Sequence, residues 1–199
     1  MSSSTALDNL IDALCCLPGI GRKSAQRMAL YLIDKNREGA AKIADSISNA
    51  LSRVGHCELC RNFSDEPHCR ICANSKRMPG LLCVVETPAD VMAIEASASF
   101  QGKYFVLLGK LSPIDGIGPD DLGFELLQKR FQEEPIEEII LATNPTVEGD
   151  ITAQYIADLA EKYNIKTSRI AHGVPVGGEL EYVDSGTLAR AFSGRQSLT

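Results

Sequence analysis

The stretch Leu81-Leu82-Cys83-Val84-Val85-Glu86 decides the fold. It is a short apolar run closed by a carboxylate, the pattern of a buried strand. Downstream the texture repeats: a helix from Pro88 to Ala96, a strand from Lys103 to Leu108, a helix from Asp121 to Phe131 and a strand from Glu138 to Ala142. A helix from Ile151 to Tyr163 and a strand from Lys166 to Ala171 complete the run. Strands alternating with helices predict a mostly parallel sheet with helices on both faces, an α/β fold. One connection exceeds the usual length: Leu111 to Asp121 holds two prolines, two glycines and three aspartates, which points to function or an interface. After Tyr182, Asp184 to Phe192 reads as a short capped helix suited to subunit packing.

Just upstream lie Cys57-Glu58-Leu59-Cys60 and Cys69-Arg70-Ile71-Cys72, a Cys-x2-Cys-x8-Cys-x2-Cys block. Two residues between paired cysteines let both sulfurs turn towards one point, and two such knuckles supply the four thiolates of a tetrahedral structural Zn2+ site. With all ligands protein thiolates, no position is left for substrate, so the ion is a staple and not a Lewis acid. His56 and His68 adjoin ligand cysteines and are read as supporting or surface residues. Cys15, Cys16 and Cys83 fall in apolar segments and are read as buried thiols.

Further upstream, Leu7, Leu10, Ile11, Leu14 and Leu17 mark one face of a helix that stops at Pro18. Leu17-Pro18-Gly19-Ile20-Gly21 is a tight turn, and Arg22 opens a second helix with Ala25, Met28, Ala29 and Leu32 on its apolar face. A third helix runs from about Arg37 to Val54. Free backbone N–H groups at a helix start bind phosphate oxygens without reading bases, and Lys23 and Arg27, four apart, lie on one face beside them. The competing reading is an ordinary helical hairpin with solvated basic residues.

The chain has 199 residues and a formal net charge of -6, which alone argues against a nucleic-acid partner. The average conceals an asymmetry. From Arg22 to Arg77 eleven Lys and Arg stand against six Asp and Glu, so the basic part contains the cysteine block and the rest is strongly acidic. One region then suits an anionic polymer and another suits water, a cation or a basic partner. No apolar run is long enough to span a bilayer and no leader is evident, so no membrane role and a cytoplasmic site are expected.

Ligands of parallel α/β sheets gather beyond the carboxyl ends of the strands. Glu86 ends one strand, and Glu148 and Asp150 are expected in the loop after another, where their oxygens could share a hard cation such as Mg2+. The alternative leaves Asp150 as the cap of a helix starting at Ile151 and Glu148 as a solvated loop acid.

These parts, in this order, resemble the RecR family of bacterial recombination mediators. The resemblance spans essentially the whole chain and rests on Cys16 to Ala29, Gly55-His56-Cys57, Val84 to Asp90, Leu111 to Leu122, Ala142 to Asp150 and Arg169 to Leu180. It implies a helix-hairpin-helix region over 1–54, a four-cysteine zinc finger over 55–78, a Toprim domain over 79–173 and a C-terminal packing segment over 174–199. It further implies a non-enzymatic, ring-forming DNA clamp, a tetramer or a dimer in exchange with it. With RecO, and in some settings RecF, such a clamp helps load recombinase on single-stranded DNA at gaps, in the cytoplasm beside the nucleoid.

On that reading Arg22, Lys23 and Arg27 contact phosphates, zinc fixes the module between hairpin and sheet, and Glu86, Glu148 and Asp150 are partner or cation sites. Relatives often carry Glu where this chain has Asp150. The segment His172-Gly173-Val174-Pro175-Val176-Gly177-Gly178-Glu179-Leu180-Glu181 matches a family stretch sometimes compared to a nucleotide-binding motif, but no P-loop occurs and ATP is a weak expectation. Many relatives end in a basic and aromatic tail, whereas this chain ends Gly194-Arg195-Gln196-Ser197-Leu198-Thr199. Two other classes compete: a Mg2+-dependent nucleic-acid enzyme acting through the Toprim acids, and a zinc-stabilised scaffold that binds only protein.

Overall fold

The computed structural model describes residues 5–171 and 173–195, and the chain divides into two compact units, Met1–Val54 and Gly55–Thr199. In the first unit Thr5 starts α1 (Ala6–Leu14) with a reciprocal cap: its hydroxyl accepts from the Asp8 N–H while the Asp8 carboxylate accepts from the Thr5 N–H. The helix ends at Leu14, short of the expected Pro18, and residues 15–21 form the turn. That early end is why Cys16 is exposed and Cys15 only partly covered, contrary to their reading as buried thiols. α2 (Arg22–Asp34) buries Ala25 and Ala29 against Ile11, and small side chains at the crossing let the two helices approach closely. Asn36 caps α3 (Arg37–Arg53) by accepting from the Gly39 N–H. α3 buries none of its residues; Ile43, Ile47 and Leu51, at four-residue spacing, leave one apolar stripe open.

The second unit begins with a two-residue hairpin, β1 (Gly55–His56) against β2 (Phe63–Ser64), paired antiparallel. Then comes the expected alternation: β3 (Leu81–Val85), α4 (Pro88–Ser97), β4 (Lys103–Val106), α5 (Phe124–Glu133), β5 (Glu138–Ala142), α6 (Val147–Glu161) and β6 (Lys166–Arg169). All four long-range strands pair parallel in the order β4-β3-β5-β6. A 3-10 turn at Leu180–Tyr182 and α7 (Ser185–Ser193), capped by the Asp184 carboxylate, follow.

The central strand explains the layering. Alternate residues of β3 serve two cores: Leu82 and Val84 pack with Phe105, Leu107, Ile139 and Leu141 under α5 and α6, where Leu127, Phe131 and Ile156 close the layer. Cys83 and Val85 point the other way and pack with Tyr104, Val106 and Val91 of α4. The four block cysteines and Ile71 belong to that second core. Helices cover both faces, as the alternation predicted, but on one face α4 shares the cover with the cysteine module. Burial pushes the Cys83 thiol up to about 12, so it stays protonated and inert.

Candidate functional site

Cys57 and Cys60 flank a tight turn closed by the Arg61 N–H donating to the Cys57 carbonyl at 2.8 Å, and the second knuckle closes likewise from the Ala73 N–H to the Cys69 carbonyl at 2.9 Å. The Cys69 N–H also donates to Cys57 Sγ at 3.3 Å, which ties the two knuckles together. All four sulfurs are buried, and their ligand atoms lie within 4.8 Å of one another. The hydrogen bond between Cys60 and Cys69, 3.5 Å apart, holds the Cys69 thiol down and pushes Cys60 up. Buried soft donors at this spacing fit structural Zn2+ and would be left in mutual repulsion as thiolates without a cation. His56 instead stacks on Phe63 at 5.2 Å and bonds the Arg61 carbonyl through Nδ1 at 2.9 Å, while His68 is exposed.

Three arginines that sequence reading passed over tie residues 59–77 to the helices, strands and loops of the α/β layers. Arg130 is 3% exposed; it forks onto Glu134 at 2.7 and 2.9 Å and donates to the carbonyls of Leu59 and Tyr104. Arg77 forks onto Glu95 of α4 and also reaches the carbonyls of Phe100 and Gly102, both at 3.3 Å. Arg61 donates to three carbonyls, those of Leu107, Asp121 and Leu122. Only the Arg130–Glu134 spacing, four apart on a helix, left a trace in the sequence.

The hairpin turn is open. Gly19 has φ 78°, a left-handed value that suits glycine, and a Cβ at Gly19 or Gly21 would meet nothing within 4 Å. Gly21 caps α2 without a side-chain hydrogen bond, so among the described residues the first N–H groups of the helix have no side-chain cap. Lys23 and Arg27 are exposed, as is Arg22, which pairs with Asp12 at 2.6 Å.

The three acids lie at the switch point of the sheet, beyond β3 and β5, whose onward connections run in opposite directions. They do not converge. Glu86 is 6% exposed, and Asn144 engages both its oxygens: the backbone N–H donates to Oε1 and Nδ2 to Oε2, each at 2.8 Å. Gly149 lies against the pair, and a Cβ there would collide with the Asn144 carbonyl. Glu148 and Asp150 are in the first turn of α6 and not in a loop, because Thr146 caps the helix from the Gly149 N–H and starts it at Val147. Asp150 is therefore not the cap either. Glu148 meets Lys110 at 3.4 Å, and its own backbone N–H, then the Lys110 ammonium, hold its carboxyl below the usual range. Asp150 meets Arg169 at 2.6 Å and Arg190 of α7 at 3.5 Å. Among the described residues only the cysteines bring three or more ligating side chains within reach of one point.

The C-terminal segment leaves Val176, Leu180, Tyr182 and Phe192 exposed. His172, at the head of the expected nucleotide-motif stretch, and Gln196 to Thr199 of the tail lie outside the described residues. Among the described residues no helix is long and apolar enough to cross a membrane.

Four family models match the chain in sequence. They are described as RecR, helix-hairpin-helix, over residues 7–51; RecR, four-cysteine zinc finger domain, over 54–74; Toprim domain, over 80–171; and RecR, C-terminal, over 173–196.

Proposed function

Because the chain belongs to the RecR family, with a role in DNA recombination and repair, we propose that it is a non-enzymatic mediator, a ring-forming clamp on DNA. With RecO, and in some settings RecF, it helps load recombinase on single-stranded DNA at gaps. The observation that carries this reading is the open glycine turn at the start of α2, with no side-chain cap and with Lys23 and Arg27 exposed beside it. Such a turn takes a phosphate on backbone N–H groups and adds two cations without consulting the bases. Arg22 joins them once DNA competes with its exposed Asp12 pair, which costs little to break.

Ring formation is supported by apolar surface in two separate places. The α3 stripe of Ile43, Ile47 and Leu51 and the C-terminal Val176, Leu180, Tyr182 and Phe192 each need cover. Two self-complementary patches on one chain allow dimers to pair into a closed tetramer, whereas one gives only a dimer. A basic partner would meet Glu148 and Asp150, whose side chains are each 39% exposed, while Glu86 holds the Asn144 loop from within.

Lys23→Glu combined with Arg27→Glu is expected to weaken binding to gapped DNA about ten- to hundredfold near 0.1 M salt and to flatten the salt slope by about 1.5. Zinc content and circular dichroism should stay as in the parent. Unchanged binding would sink the hairpin reading, and a stable monomer by light scattering, with and without RecO and gapped DNA, would sink the ring. The enzyme reading draws on the acids at the sheet's switch point; it requires a Mg2+-dependent cleavage or ligation lost in Glu86→Ala with Asp150→Ala.

A further inference from the structure

We infer that Arg61 is the link through which the metal state of the cysteine site sets the long loop between β4 and α5. The inference rests on Zn2+ as the ion of that site. Arg61 directly follows the ligand Cys60, and its backbone is left-handed at φ 62°. The knuckle imposes that conformation: the Arg61 N–H donates to Cys57, its carbonyl bonds His56, and the Cys60 carbonyl accepts from Val106 N–H at 2.8 Å.

The side chain leaves this anchored backbone for the base of the loop. Nη1 donates to the carbonyl of Leu107, where the loop begins, at 3.0 Å and to Leu122, where it ends; Nη2 donates to Asp121 at 3.1 Å. One guanidinium therefore clasps both ends of a connection that runs from residue 107 to residue 123. Gly123 makes room for it, since a Cβ there would run into the guanidinium.

Inside the loop the bonds are local, reach α6, or, from the Gly109 N–H, reach the Glu86 carbonyl at the end of β3 at 3.1 Å. Ser112 and Ile117 bridge each other, Gly118 donates to Asp121, and the Leu111 N–H donates to Thr152 Oγ1. What the clasp presents is an apolar tip, Ile114 at 95% exposure, with Asp115, Asp120 and Asp121 exposed nearby. The hairpin of β1 and β2 has two residues per strand, and the bonds from Arg130 and Val106 hold the carbonyls of Leu59 and Cys60 but leave the sulfurs to the ion, so the knuckle that aims Arg61 depends on it. The loop is then metal-dependent although it contributes no ligand. By reciprocity, losing the clasp must weaken zinc by the factor with which zinc tightens the clasp.

The test is hydrogen exchange by mass spectrometry on the full chain, with zinc content and zinc affinity measured by competition with a chelator. Chelation should speed exchange in 108–123 as well as 55–74, and by more than in β6, which shares no residue with the cysteine core. Zinc-loaded Arg61→Ala should speed exchange in 108–123 alone, and its zinc affinity should fall about tenfold. Chelating that variant should then add nothing in the loop. Arg61→Lys, which keeps a cation but cannot reach three carbonyls, should behave in the same direction and serves if the alanine variant fails to fold. Loop exchange that ignores chelation, or that responds equally in parent and variant, overturns the link while leaving the zinc reading intact. A parent chain that holds no zinc overturns both.

Discussion

The cysteine site and the acid-bearing end of the sheet belong to one unit and handle charge in opposite ways. At the first, four like groups are forced together in a core, with ligand atoms within 4.8 Å of one another, and a shared cation is what lets all four be thiolates at once. At the second, like charges are kept apart and each is answered from within the chain: Glu86 by Asn144, Glu148 by Lys110, Asp150 by Arg169 and Arg190. The first arrangement stores a requirement for metal. The second removes one, and leaves two acids exposed enough to meet another molecule.

The largest effect should come from taking away the cation. Chelation, or Cys69→Ser, removes a staple from the core shared with Cys83, Val85, Tyr104 and Val91. A loss of at least about 4 kcal/mol in urea unfolding is expected, with exposure of that sheet face. The contrast between the two sites breaks if chelation costs no more than removal of a single acid.

The parts of this molecule legible in sequence were those fixed by short spacing. Four cysteines at x2, x8 and x2 could scarcely do anything but close on one point, and the five apolar residues of β3 could only be a buried strand. The glycine turn before Arg22 was legible for the same reason. Convergence over long separation was not. Whether Glu86 meets Asp150 depends on how Asn144, two residues beyond β5, turns, and nothing in an asparagine announces that it will take both oxygens. The start of α6 was misplaced because Thr146 competes with Asp150 for the cap and wins through the Gly149 N–H. Arg61 was invisible since its partners are carbonyls 46 to 61 residues away, and carbonyls carry no residue identity.

A smaller effect is expected from the acid end. Glu86→Ala strips the acceptor from two Asn144 donors, one of them backbone; because Asn144 is itself exposed, water recovers part, and a loss of about 2 kcal/mol is expected by denaturant unfolding. Gly149→Ala should cost a similar amount, about 1–3 kcal/mol, by driving a methyl into the Asn144 carbonyl. Neither should change zinc content. A Glu86→Ala chain as stable as its parent would mean that the loop does not depend on this carboxylate and would reopen it as a ligand.

Smaller again is the acid limb on the cysteine side. The Arg77 fork, and after it the Tyr104 hydroxyl at 2.7 Å, hold Glu95 below its ordinary 4.5. A depressed folded value means stability that is fully present above pH 4.5 and is lost as pH falls through the lowered value. Glu95→Gln should therefore flatten the stability–pH curve below that point and leave it parallel to the parent above. An unchanged acid limb would place the acid sensitivity of this face elsewhere, with the cysteines as its first suspects.

The least response should come from Mg2+, and that makes it the sharpest probe of the contrast. A site with a millimolar dissociation constant would stabilise the fold by about 1.4 kcal/mol in 10 mM Mg2+. The chain already supplies Lys110, Arg169 and Arg190 to the acids, so the ion would have to displace them, and no saturable shift in melting temperature is expected up to that concentration. A saturable shift that disappears in Glu148→Gln or Asp150→Asn would show that the internal cations are placeholders which a metal can evict. The acid end would then resemble the cysteine end after all, differing only in how the charges wait for their ion.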